Sequence, residues 1–359
     1  MRESLERTFR AREWWSHKLA AILGLGYGTV LFAGGELLAA LPALALGTAA
    51  LIPGAAFVSV LNDYTDLELD RAAGKPNRLA GRPRGFGRRA LAVTLALGAA
   101  AAVAVGVVSG WALAFYLPAW LAFTAYSVPP LRLKERGWLG AAADAAGAHL
   151  FPQLVVVIFA FAGADAAIDW GWVGLVGAWA FAYGLRGAIW HQSSDAVADR
   201  ASGAATLVAA RPRAALIASR WVVFPLELAT LAVILVLIGS TLAFVALALY
   251  LALELARVRL WQVEIVIGGE AGRYRILMHE YYAIALPLAL LAAATSADPI
   301  NAVALALHLV LFWSAICRAG LDATRAVAQL AKGPIAYARR KVPTRLKHAL
   351  RMLGRRLRR

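Results

Sequence analysis

The chain has 359 residues, 61% of them hydrophobic and only 16% charged, with a net charge of +16 and a mean hydropathy of +0.65. Soluble chains run nearer half apolar and a quarter charged, so a soluble enzyme, a disordered chain and a disulfide scaffold are all excluded. A single cysteine, Cys317, cannot close an internal disulfide. What remains is a polytopic membrane protein, in which the positive balance points to anionic lipid and not to nucleic acid.

In chain order, the N-terminus mixes Arg2, Arg7, Arg10 and Arg12 with Glu3, Glu6 and Glu13. It lacks the short apolar core and small-residue cleavage site of a signal peptide, and reads as a short interfacial helix. Ten apolar stretches follow, at 19–39, 41–61, 89–109, 111–127, 139–162, 171–191, 214–237, 240–256, 278–296 and 301–317. Each is close to the roughly 20 residues a transmembrane helix needs. The predicted fold is an all-α membrane bundle of nine to ten helices.

The connections after stretches 1, 3, 5, 7 and 9 hold no Lys or Arg. All 37 basic residues lie in the termini, in the connections after stretches 2, 4, 6 and 8, or in the ends of the stretches that flank those connections. The positive-inside rule therefore predicts a multi-pass protein of the cell membrane with both termini and the even-numbered connections cytoplasmic. Ten crossings satisfy this, as do nine with the last apolar pair forming a hairpin. Residues 1–320 are expected to form the transmembrane domain and 321–359 a basic cytoplasmic tail. In that tail Leu346, Leu350, Leu353 and Leu357 recur at helical spacing, which suits a helix lying on anionic headgroups.

The chemistry concentrates in two similar segments. After stretch 2 the chain reads Asn62-Asp63-Tyr64-Thr65-Asp66-Leu67-Glu68-Leu69-Asp70-Arg71-Ala72-Ala73-Gly74-Lys75. After stretch 6 it reads His191-Gln192-Ser193-Ser194-Asp195-Ala196-Val197-Ala198-Asp199-Arg200-Ala201-Ser202-Gly203. Both contain Asp-x-x-x-Asp-Arg-Ala-x-Gly, four stretches apart and at the same membrane face, as an internal repeat predicts. Helical spacing puts Asn62, Asp66 and Asp70 on one face with Asp63 nearby, and Asp195 above Asp199 with Gln192 one turn before. Facing each other, the segments would gather mutually repelling carboxylates that a divalent cation would neutralise. The donors are almost all oxygen, which selects Mg²⁺, and Mg²⁺ favours substrate phosphates over an all-protein cage. The cluster reads as a diphosphate site.

At these residues, and at Tyr126-Ser127-Val128-Pro129-Pro130-Leu131-Arg132-Leu133-Lys134-Glu135-Arg136-Gly137, the sequence resembles the UbiA superfamily of intramembrane prenyltransferases. The latter segment is similar to one in the chlorophyll synthase-like branch. The resemblance implies a bundle around a central cavity, a prenyl diphosphate donor and Mg²⁺ bridging it to the two Asp motifs. It implies metal ligation by Asn62, Asp66 and Asp70 on one side and Asp195 and Asp199 on the other, with Asp63 beside them. The four aspartates Asp66, Asp70, Asp195 and Asp199 are thereby the expected catalytic set. The sequence departs from the family at Gln192, where many members carry a further Asp, and this turns attention to Gln192 and His191 as acceptor-binding groups.

A departing diphosphate gathers negative charge and needs cations. Lys75, Arg78, Arg132 and Lys134 are the candidates. Tyr126 offers a ring face to an allylic cation. Asp144, His149 and Gln153 in stretch 5, and Arg186 in stretch 6, are polar groups in apolar surroundings and are expected to line the cavity. The expected reaction transfers a prenyl group to a lipid-soluble or aromatic acceptor with release of pyrophosphate. The alternative is a transporter of cations or lipid phosphates built on the same carboxylates. Transporters place such charges near mid-membrane, whereas these stand at span ends.

Overall fold

The computed structural model describes residues 8–341 apart from 73, 84, 202, 262–263 and 268–273. Every apolar stretch folds as a helix. These are α1 Ala20–Phe32, α2 Leu37–Ala72, α3 Phe86–Val108, α4 Gly110–Ser127, α5 Trp138–Gly163, α6 Trp170–Ala201, α7 Pro212–Ile238, α8 Thr241–Trp261, α9 Tyr281–Ala297 and α10 Ala302–Lys341. By length and composition six of them, α2, α3, α5, α7, α8 and α10, are able to cross a membrane. The aromatic and glycine content of α4 and α6 dilutes their apolar character, and α1 and α9 are shorter. The remaining regular pairing among the described residues is a small parallel one, Glu264–Val266 with Tyr274–Ile276.

The protein is a multi-pass helical membrane bundle. Its outer surface carries Val107 at 83% and Val310 at 75% exposure, positions that only lipid would solvate favourably. Inside, Val156, Phe159, Trp172, Trp179, Ile234 and Leu290 are buried in one continuous core. Helices approach closely through small residues: a side-chain carbon added at Gly47 of α2 would sit 2.8 Å from the ring of Phe159 on α5. Three helices contain a turn of π-helix just before a proline, at Ala146–Leu150 before Pro152, Ser219–Val223 before Pro225 and Tyr281–Ala285 before Pro287. Proline lacks an N–H and its ring crowds the carbonyl four residues back, and the wider turn relieves both.

Several boundaries differ from those expected of the sequence. The first apolar stretch ends as a helix at Phe32, because Gly34 takes a left-handed conformation (φ 69°) that turns the chain into α2. The Asp segments are not loops. α2 and α6 run on through them as helix, to Ala72 and Ala201. Residue 320 lies within α10, which kinks at Phe312 and continues to Lys341. The leucine-spaced end of the expected tail lies outside the described residues.

Candidate active site

Both Asp motifs end in the same cap. Gly74 (φ 64°) and Gly203 (φ 74°) take left-handed backbone. The Lys75 N–H donates to the Asp70 carbonyl at 2.8 Å and the Ala204 N–H to the Asp199 carbonyl at 2.9 Å. The glycine N–H groups donate to the Arg71 and Arg200 carbonyls at 3.3 and 3.2 Å. This is a Schellman-type stop, and it gives the shared glycine of Asp-Arg-Ala-x-Gly its physical meaning: only glycine takes this turn without strain. The symmetry extends to side chains. Asn77, seven residues after Asp70, donates to Asp70 Oδ2 at 2.8 Å; Thr206, seven after Asp199, donates to Asp199 Oδ2 at 3.1 Å.

The connecting loops bring cations to the carboxylates. Lys75, which follows the first motif, pairs with Asp199 of the second at 3.0 Å. Arg132 donates to Asp66 at 2.9 Å, and Lys134 pairs with the same oxygen. Arg78 approaches Asp63 at 3.8 Å, behind Arg10, which bonds it at 2.8 Å. Ser127 donates to Asn62 Oδ1. A bridge between Gly137 and Thr206 joins the loops after α4 and α6. All four expected diphosphate-binding cations therefore stand on motif carboxylates.

Two of these lysines respond to their surroundings in opposite ways. Burial works against the Lys75 charge, but the hydrogen bond and charge of Asp199, with Asp195 and Asp70 behind it, raise its pKa above the ordinary lysine value. Burial dominates at Lys134: its pKa is lowered despite Asp66, and Arg132 adds repulsion. The fields of Asp66, Asp144, Asp195 and Asp199 all reach the half-buried Tyr126 hydroxyl, which places the two motifs around one space.

The metal-ligand set is not drawn together. Among the described residues no three Asp, Glu, His or Cys groups form a ready cage. Asp63 turns from the Asn62–Asp66–Asp70 stripe and is buried at 3% exposure against Arg10. Asp195 is exposed, whereas Asp199 is buried. Cations neutralise Asp63, Asp66 and Asp199, whereas Asp70 is held by the neutral Asn77 amide. The donor chemistry fits a hard dication held by a few carboxylates together with phosphate oxygens.

Other expected site residues fall in different surroundings. Arg186 is not a free cavity group. It is 1% exposed and locked bidentate to Glu227 on α7, at 2.6 Å through both Nε and Nη2, with the Tyr282 hydroxyl donating to Glu227 at 2.7 Å. Gln153 is buried and donates to the Ile22 carbonyl at 3.1 Å, tying α5 to α1. Asp144 is half-buried, and His149 is half-buried with its ring edge-on to Tyr183. His191 is exposed against Trp190, and the Gln192 carbonyl accepts from the Val208 N–H at 3.3 Å. Sequence reasoning missed Arg10, Asn77, Ser127, Thr206 and Glu227. The seven-residue offset shared by Asn77 and Thr206 was a signal that could have found two of them.

The profile of the UbiA prenyltransferase family matches residues 21–265. The chain belongs to the UbiA prenyltransferase family. It is a prenyltransferase by that membership. Among solved structures it is similar to a UbiA homologue from Archaeoglobus fulgidus bound to GPP and Mg²⁺, with 17% identity and a TM-score of 0.52 over 82% of this chain and 98% of that one. The same homologue bound to DMAPP and Mg²⁺ aligns with 17% identity and a TM-score of 0.53 over the same shares. A digeranylgeranylglyceryl phosphate synthase structure aligns at 15% identity and a TM-score of 0.51, over 82% of this chain and 98% of that one. At these identities the likeness establishes the fold. No curated protein sequence matches.

Proposed function

We propose that the protein is a Mg²⁺-dependent intramembrane transferase that moves a prenyl group from a prenyl diphosphate to a lipid-soluble or aromatic acceptor and releases pyrophosphate at the cytoplasmic face. The observation that carries this reading is the crossed pairing of Lys75 with Asp199 and of Arg132 and Lys134 with Asp66. It gathers both motifs and three phosphate-binding cations at the ends of two helices. The solved relatives named above were determined with GPP or DMAPP and Mg²⁺, which supports the same donor chemistry here. The family and the placement of the acids at helix ends both favour transfer over transport.

Asn62, Asp66 and Asp70 on α2, with Asp195 and Asp199 on α6, would hold the metal. Bound there, Mg²⁺ neutralises the diphosphate and stabilises the charge that develops on it. With the carboxylates on the metal, Lys75, Arg132 and Lys134 would be the groups to bind the phosphate oxygens, with Arg78 behind them. Tyr126 presents its ring to the allylic carbon. The C1–O bond breaks with its electron pair going to the diphosphate, and the acceptor supplies the pair for the new bond to C1. The even-numbered loops and both termini are assigned to the cytoplasm, and the basic C-terminal segment to anionic headgroups.

The test uses purified protein in lipid nanodiscs with geranyl diphosphate and Mg²⁺. Pyrophosphate release is measured, and prenylated products from an added membrane-lipid extract are identified by mass spectrometry. Pyrophosphate release that depends on Mg²⁺ and is lost in Asp66→Ala supports the reading. No release by the unaltered protein, or equal release by the variant, overturns it.

A further inference from the structure

Away from the carboxylates, a second polar array runs inward from the N-terminal segment. The Tyr183 hydroxyl on α6 lies 2.7 Å from Nδ1 of His279, and Nε2 of His279 lies 3.2 Å from Nδ1 of His17. Tyr183 is buried, His279 is half-buried just before α9, and His17 is exposed. The three groups thus connect the bundle interior to its surface through hydrogen bonds alone. None of them belongs to the Asp motifs.

One helical turn from the inner end, α6 faces open space. Gly187 lies one helical turn beyond Tyr183 on α6 and one turn before His191. A side-chain carbon built at Gly187 would meet no atom within 4 Å. Gly184 is the contrast: a carbon there would lie 2.9 Å from His149 Cβ, so α5 closes on α6 at that point and sets the His149 ring 4.9 Å from Tyr183. The gap over Gly187 lies on the helix that also carries Asp195 and Asp199, between Tyr183 and the second motif.

We infer that Tyr183, His279 and His17 form a proton relay serving an acceptor seated over Gly187, and that the acceptor is a molecule which must lose a proton as it is prenylated, through a hydroxyl or an activated ring C–H. This rests on the prenyl-transfer reading. The diphosphate leaves with the electron pair of the C1–O bond, and the acceptor bonds to C1. Its proton passes to Tyr183 oxygen as the Tyr183 proton moves to His279 Nδ1. The proton of His279 Nε2 moves to His17 Nδ1, and that of His17 Nε2 enters water. Two tautomer sets satisfy both hydrogen bonds, one with every proton directed outward and one with every proton reversed. They are the states before and after one passage.

A relay of this kind needs neutral imidazoles. Burial first, and then the positive fields of His17, Arg186, His191 and Arg275, push the His279 pKa down to about 3. Partial burial first, and then Arg318, lowers the His17 pKa as well. The Arg186 guanidinium is occupied by Glu227 and leaves the chain uninterrupted.

The experiment supplies labelled geranyl diphosphate, Mg²⁺ and a membrane-lipid extract to the nanodisc protein, and measures the ratio of prenylated lipid to geraniol, the product of capture by water. Loss of a general base typically costs a hundredfold or more, so Tyr183→Phe and His279→Gln should lower the ratio by about tenfold or more. His17→Ala at the exposed end should lower it too, and added imidazole should restore it. A merely structural role would give no such restoration. An unchanged ratio in Tyr183→Phe overturns the relay, as does a His17→Ala protein that shows no fall or is not restored by imidazole. Failure of the transferase reading looks different: the unaltered protein would then release no pyrophosphate.

Discussion

The two Asp motifs are the same length of helix with the same cap, yet their buried positions differ. A constant offset relates them, with Asp66 matched to Asp195, Asp70 to Asp199 and Asp63 to Gln192. Asp63 and Gln192 are both buried, at 3% and 8% exposure. In the first motif the buried position is an acid, and Arg10 reaches across from the N-terminal segment to hold it at 2.8 Å. In the second it is a neutral amide, whose carbonyl is satisfied by one backbone N–H at 3.3 Å. A buried carboxylate needs a cation, whereas a buried amide needs only hydrogen bonds. The repeat keeps the acids that face the shared space and lets the buried position follow whatever its neighbourhood offers.

The outward acids differ in a complementary way. Asp66 carries two cations, while the matching Asp195 is exposed and has no ion pair among the described residues. The largest expected effects lie where both motifs must act together. Asp66→Ala or Asp199→Ala should lower pyrophosphate release from geranyl diphosphate by more than about a thousandfold, since each removes an oxygen donor that no neighbour replaces. EDTA should do the same to the unaltered protein, reversibly on adding Mg²⁺. Retained release in Asp199→Ala alone would show that the first motif suffices, whereas retained release in Asp66→Ala would overturn the transferase reading.

Next in size is the interior pair. Arg186 and Glu227 are 1% and 0% exposed, so Glu227→Gln leaves a buried guanidinium without its counter-ion. Removing one partner of such a pair costs about 3–5 kcal/mol. The melting temperature in detergent, followed by tryptophan fluorescence, should fall by several degrees. An unchanged melting temperature would mean that water or lipid headgroups reach Arg186.

A smaller effect is expected at the crossed lysine. Lys75 spans from one motif to the other but is 30% exposed, which screens its pairing with Asp199. Its principal contribution is then to the bound diphosphate. Lys75→Met should raise the KM for geranyl diphosphate by about tenfold with little change in melting temperature, the size expected for one charge-assisted hydrogen bond of about 1.5 kcal/mol. A lower melting temperature with unchanged KM would assign Lys75 to the fold.

The helical bundle, the repeat and the face that carries the acids could all be read from apolar periodicity, from the segregation of Lys and Arg and from the four-residue spacing of the aspartates. The pairing could not. Nothing in the sequence connects Lys75 to a residue 124 positions away, or Arg186 to Glu227. Such contacts depend on how helices rotate about their axes, and a glutamate inside an apolar stretch such as Glu227 is as compatible with a lipid-facing error as with a buried partner. Arg186 was expected at a cavity wall for the right reason, the cost of an unpaired charge, but the compensating group was protein and not substrate.

Gln192 gives the finest distinction. The sequence suggested an acceptor-binding amide there, and the structure puts its carbonyl on the Val208 N–H instead. Gln192→Ala should therefore act first on the segment Leu207–Ala210, by leaving a buried N–H without its acceptor, at a cost of about 1–3 kcal/mol. Gln192→Asp restores the acid that matches Asp63 but introduces no counterpart of Arg10. The introduced carboxylate, once ionised, would be buried beside Asp195 and Asp199, so it should favour its protonated form and cost stability as pH rises through the ordinary carboxylate range. Melting temperature against pH separates the cases. The Gln192→Asp protein should match the unaltered one most closely at low pH and lose ground towards neutrality, whereas Gln192→Ala should be lower by a constant amount. If both variants instead melt normally and differ only in KM for the acceptor extract, Gln192 belongs to the acceptor, and the two buried positions are alike in place but not in purpose.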